Sequence, residues 1–236
     1  MWRFLATINQ SFFPPIISSL LFLAIFHFVL GRSQDSSFLE FLVPGLVMMA
    51  IINSAFSNTS FSIFLAKWTH YFQMILTTPL SYLELVLAYN IGSIVRGIIT
   101  AAGIYVAIMI FVPIGIFNLG IMLLYFLLAS IIFASLGIFL ALWADHFEHL
   151  GIFTTFFLTP LTMLGGVFYS IDMLPEKWQF LTLWNPVFYL VDGFRYGTLG
   201  IHDAPIGIGL GVSTALAIIS FATVTILMKK GWRVKQ

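Results

Sequence analysis

The chain has 236 residues, 60% of them hydrophobic and only 8% charged. Soluble domains carry about 25% charged residues and about 45–50% apolar ones, so much of this chain's solvent must be lipid. A net charge of +1 offers no one-signed field for nucleic acid, and the lack of cysteine excludes disulfides, thiolate metal sites and a cysteine nucleophile.

The N-terminus does not read as a cleaved signal peptide. Arg3 is followed by Thr7, Asn9, Gln10 and Pro14-Pro15, with no small-x-small cleavage site after the apolar run. Apolar runs near the length of about 20 residues that a bilayer crossing requires lie at 14–31, 41–66, 85–112, 118–143, 150–171 and 206–228. Unbroken runs of this kind are helices, because backbone polar groups in lipid must be satisfied within the segment. The expected fold is an all-α integral membrane protein, 1–236 forming a single transmembrane domain with six transmembrane helices. Pro14 and Pro15 suit a helix start, where a missing N–H costs nothing.

In the second span Asn53, Ser57 and Ser60 recur at helical spacing, with Ser54 and Asn58 beside them. Such a stripe either packs helices together or lines one wall of a substrate path. The segment 67–80 follows. Trp68, Phe72, Ile75 and Leu76, with Tyr71, repeat every three or four residues and give one apolar helical face. Pro79 ends that helix, and Ser81 with Glu84 forms a capping box that starts the next span. This inner segment is either a surface anchor or a helix that transmits force from a cytosolic partner.

Arg96 lies about 20 Å along the third span at 1.5 Å per residue. An intramembrane charge marks function unless it snorkels or pairs with carbonyls. Asp145, His146, Glu148 and His149 hold metal-ligand chemistry, yet with no third ligand source they read as a polar turn. The stretch 172–205 carries Trp178, Trp184 and Tyr189 but is broken by Asn185-Pro186, and Asp192 and Arg195 sit in its second half. It predicts a re-entrant extracytoplasmic helical hairpin before the last span. Asp192 and Arg195, three residues apart, can pair on a helix.

Six basic residues (Arg3, Lys67, Lys229, Lys230, Arg233, Lys235) against three (Arg32, Lys177, Arg195) place both termini in the cytoplasm. There is no Walker A loop, G-x-S-x-G or H-E-x-x-H, so a chain driven by ATP must borrow its ATPase.

Val43-Pro44-Gly45-Leu46, Thr77-Thr78-Pro79-Leu80-Ser81, Arg96-Gly97, Pro160-Leu161-Thr162, Gly165-Gly166-Val167-Phe168-Tyr169-Ser170, Leu174-Pro175, Trp178, Asn185-Pro186 and Gly193-Phe194-Arg195-Tyr196-Gly197 occur in that order. In their spacing the chain resembles the bacterial ABC-2-type permeases, membrane subunits of exporters for drugs, lipids and polysaccharides. In that family Val43-Pro44 would open the second span. The resemblance implies a bacterial inner-membrane permease without cofactor or catalytic residues, paired with a separate ATP-binding subunit and a second copy or related permease. It makes Trp68, Phe72, Ile75, Leu76 and Pro79 the ATPase-coupling segment. Their own chemistry makes Asn53, Ser57, Arg96, Asn185, Asp192 and Arg195 candidates for the translocation path or its gate. The family's longer amphipathic opening helix has only about a dozen residues before Pro14 to match it. An ion-coupled secondary transporter would carry several intramembrane carboxylates, and an intramembrane enzyme a nucleophile–base pair or metal set. The confident spans hold neither.

Overall fold

The computed structural model describes residues 14–26, 36–77, 79–109 and 115–231, and every regular element among them is helical. Helix α1 (Pro14–Phe26) starts at the paired prolines. It falls short of a full crossing within the described residues, and the rest of the expected first span lies outside them. Five helices are long and apolar enough to cross: α2 (Ser36–Trp68), α4 (Tyr82–Met109), α5 (Leu119–Trp143), α6 (Phe147–Val167) and α9 (Ile206–Lys229). Between them lie the short α3 (Tyr71–Leu76), α7 (Glu176–Trp184) and α8 (Pro186–Leu199).

The centre of the bundle is the α2–α5 pair. Thr59 donates from Oγ1 to the Ala134 carbonyl at 2.9 Å. Where the helices cross, Gly137 faces the α2 backbone, and a Cβ there would lie 2.6 Å from the Phe56 carbonyl oxygen. Small residues let membrane helices approach this closely, which brings more of both surfaces into contact. Helices α4 and α9 flank the pair and keep apolar faces outward, among them Ile91, Val95, Ile98, Ile218 and Ile219.

Two local features depart from the expected spans. Helix α2 begins before Val43-Pro44, so Pro44 stands inside it and does not open it. Proline there forfeits only the bond to the carbonyl four residues back, within the first turns of a 33-residue helix. Gly45 beside it abuts the Val167 carbonyl, where a Cβ would be 2.5 Å away. Helix α6 is not uniform: it widens into π-turns at Thr154–Leu158 and Met163–Val167. Pro160 accounts for the first, since its ring and missing N–H disturb the preceding turn, and Thr159 Oγ1 donates instead to the Thr154 carbonyl at 3.0 Å. Gly166 ends the helix with φ 74°, a left-handed value that suits glycine.

Helix α5 starts at Asn118, whose side chain accepts from the Ile121 amide at 3.1 Å. The amides of Phe117 and Asn118 bond to the carbonyls of Thr198 and Gly197, at 3.0 and 2.7 Å. This ties the start of α5 to the end of α8. Gly193 and Gly197 admit α8 against α5: the Tyr125 ring occupies the space of a Gly193 side chain, and the Met122 backbone that of Gly197.

Candidate functional site

The segment between α2 and α4 is built differently from the single apolar face that its spacing suggests. Helix α2 runs on through Lys67 to Trp68, because Lys67 Nζ donates to the carbonyls of Ala141, Leu142 and Ala144 at 3.0–3.3 Å. These are end-of-helix acceptors on α5 that lack intrahelical partners. The chain then breaks at His70, whose φ of 57° is left-handed, and α3 begins. Trp68 therefore closes α2 and is not part of the inner-loop helix. It is 67% exposed, whereas Phe72 is 1% exposed and anchors α3 in the core. Ile75 is half-buried, and Tyr71 and Met74 point outward. The side chain of Leu76 lies outside the described residues. Pro79 is exposed and follows the Thr77 cap of α3. The capping box is present: the Ser81 amide donates to Glu84 Oε2 at 2.7 Å, and the Glu84 amide to Ser81 Oγ at 3.2 Å.

A polar seam joins α2 to α4 within the apolar bundle. Arg96 Nη1 donates to Asn58 Oδ1 at 2.8 Å, and Asn58 Nδ2 donates to Ser93 Oγ at 3.1 Å. Ser93 Oγ donates to the Ala55 carbonyl at 3.3 Å, and one turn away the Ser54 and Thr100 hydroxyls form a hydrogen bond at 3.5 Å. Asn53 and Ser57 are half-exposed on α2 but do not join this seam; Asn53 donates to Met49 of its own helix at 2.8 Å. Within the polar stripe of α2 it is Asn58 that bonds across to Ser93 of α4. Asn58 was visible in the polar stripe, but nothing in the sequence ties Ser93 to it.

The third cluster gathers around α8. Asn185 caps it, accepting from the Val187 amide at 3.0 Å and donating to the Leu161 carbonyl of α6 at 2.7 Å. Asp192 and Arg195 do not bond to each other, although both are on one helix at the expected spacing. Asp192 accepts from the Asp203 and Ala204 amides at 2.7 and 3.1 Å, donors just ahead of α9 that would otherwise be orphaned. Asp203 accepts in turn from Ser170 Oγ and the Ile171 amide, both at 2.9 Å. Arg195, fully buried, donates from Nη2 to the Gly166 carbonyl at 2.7 Å and lies 3.7 Å above the Phe41 ring centre. These residues rivet α8 to α2, α6 and the turn before α9. Asp203 and Phe41 carry no local signal that would have marked them.

In the turn between α5 and α6, His146 and His149 meet edge to face at 5.5 Å, and no group of three metal-ligating side chains forms among the described residues.

Five helices long and apolar enough to cross a membrane among the described residues, a tight central pair, a short helix between α2 and α4 and a capped helical pair before α9 define a multi-pass membrane protein. The chain belongs to the ABC-2 type transporter family, whose profile matches residues 1–199. It is 34% identical over 233 residues to the inner membrane transport permease YadH of Escherichia coli K12, covering 97% of this chain and 91% of that one. It is also similar to nodulation protein J of Rhizobium meliloti, 24% identical over 207 residues, with 86% and 78% of the two chains covered.

Proposed function

We infer that this chain is the membrane-spanning subunit of an ATP-driven exporter in the bacterial inner membrane. ATP is hydrolysed by a separate subunit, and a second copy or a related permease completes the path. The observation that carries this reading is the inner loop of an ABC-2 family member. Helix α3 stands between a left-handed break and a capping box, anchored by Phe72 and presenting Tyr71 and Met74 outward. Such a helix is stiffly joined to a span at each end and has an apolar surface free for a partner. The ATPase can act only by binding one permease state better than another, and α3 is the surface through which it does so.

In this reading residues 1–236 are one permease domain with six spans, α1 being part of the first. Helices α7 and α8 form a hairpin that re-enters the membrane from the outer side, and both termini are cytoplasmic. The exported molecule is of lipid, drug or glycan type. The test is copurification with the ATP-binding subunit, with Met74→Asp as the probe. Met74 is 65% exposed, so the substitution leaves the core intact. Assembly should fall by tenfold or more while membrane insertion is unchanged. Undiminished assembly and transport would make α3 a membrane anchor only.

A further inference from the structure

Arg96 stands at the middle of α4, about 21 Å from Tyr82 and about 20 Å from Met109 at 1.5 Å per residue. The hydrocarbon core is about 30 Å thick. A helix of this length centred on it holds Arg96 near the mid-plane, too deep for the side chain to snorkel to either surface. Its hydrogen bond goes to a neutral group, Asn58 Oδ1. Asn58 is itself fixed by Ser93, which is fixed by the Ala55 carbonyl, so the acceptor is held in place and the guanidinium is oriented by it. No carboxylate stands beside Arg96 among the described residues. The side chain is half-exposed, and none of its nitrogens is both buried and unpartnered. A guanidinium has five N–H donors in a planar fork. Only Nη1 has a partner, and the side chain is partly exposed beside the α2–α4 seam.

A cation at this depth, oriented and without a counter-ion among the described residues, is suited to an anion brought by a ligand. The fork fits a carboxylate or phosphate through two parallel hydrogen bonds. The phosphates of resting lipids lie at the interface, about 15 Å away for a core of that thickness. An anion beside Arg96 therefore belongs to a molecule between the leaflets. We propose that Arg96 binds the headgroup of an anionic amphipath, a phosphate- or carboxylate-bearing lipid-like molecule that passes along the α2–α4 seam. This names the substrate class and rests on the export reading above.

The experiment uses the full-length permease in uncharged maltoside detergent, with binding read by thermophoresis. The probes are dodecyl phosphate, dodecanoate, dodecyl phosphocholine and inorganic phosphate. Wild type should bind the two alkyl anions at least tenfold more tightly than the zwitterion and more tightly than inorganic phosphate. Arg96→Gln keeps a donor for Asn58 and removes the charge, so it should lose the preference for the anions; Arg96→Lys should keep part of it. Asn58→Asp leaves Arg96 in place but supplies an internal counter-ion, and should abolish the preference in a chain that retains the seam. Equal affinity for anion and zwitterion would overturn the proposal. So would an undiminished preference in Arg96→Gln and Asn58→Asp, or inorganic phosphate binding as tightly as dodecyl phosphate. The export reading fails separately, if no ATP-binding subunit copurifies, and that result leaves the binding measurement standing.

Discussion

Replacing Gly137 by alanine tests the central α2–α5 contact. The added methyl would meet Thr59 and lie 2.6 Å from the Phe56 carbonyl oxygen and 3.2 Å from the Ser60 amide nitrogen. Two of these three neighbours are backbone atoms of a helix and cannot turn aside, so α2 and α5 must separate. Overpacking of this kind costs about 1–3 kcal/mol, and the rigid neighbours put it at the upper end. Separation also weakens the bond from Thr59 to the Ala134 carbonyl; a membrane-embedded hydrogen bond contributes about 0.6 kcal/mol. Alanine's advantage over glycine in a helix returns about 0.5–1 kcal/mol. The net loss is about 2–3 kcal/mol, roughly 30- to 100-fold in the folded-to-unfolded ratio at 1.4 kcal/mol per tenfold. Gly211→Ala is the control, because a Cβ there meets nothing within 4 Å; it should be neutral or stabilising by up to about 1 kcal/mol. Unfolding in mixed micelles of rising dodecyl sulfate fraction, followed by tryptophan emission, compares the two. If Gly137→Ala is as stable as Gly211→Ala, the helices do not cross as closely as described.

Asn185→Ala removes both the cap of α8 and the bond to the Leu161 carbonyl, and should cost about 1–2 kcal/mol in the same assay; a smaller change than that of Gly211→Ala would mean the cap is dispensable. Cysteines placed at Gln179 and Lys230 should respond oppositely to an impermeant thiol reagent added to intact cells. Gln179 should be labelled and Lys230 protected, and labelling of Lys230 would reverse the proposed orientation.

Much of the architecture was legible in local chemistry. Asn118 read as a boundary and caps α5; Ser81 and Glu84 read as a capping box and form one; Asn185-Pro186 read as a break and separates α7 from α8. Each of these signals acts within four residues of itself. The readings that failed concern residues whose partners are remote. Trp68 looked like part of the inner-loop helix because its spacing from Phe72 is helical, but Lys67 holds α2 to α5 more than 70 positions away and carries the helix past it. Asp192 and Arg195 looked like a pair because a helix brings i and i+3 together. In the fold Asp192 instead takes the amides of Asp203 and Ala204, and Arg195 the Gly166 carbonyl. Which member of the α2 stripe bonds to α4 is decided by packing and leaves no mark in the stripe itself: Asn58 makes that bond, while Asn53 and Ser57 stay half-exposed.

The grip of Lys67 on the carbonyl end of α5 has a mechanical consequence. Three carbonyls held by one ammonium join the adjacent ends of α2 and α5, and α3 follows after Thr69 and His70, seated on the bundle by the buried Phe72. A load applied at α3 would therefore be shared by both central helices. The irregular element beside this joint is α6, which widens into π-turns around Pro160 and leaves helical geometry at Gly165-Gly166. The molecule is in effect a twin beam with one irregular helix at its side.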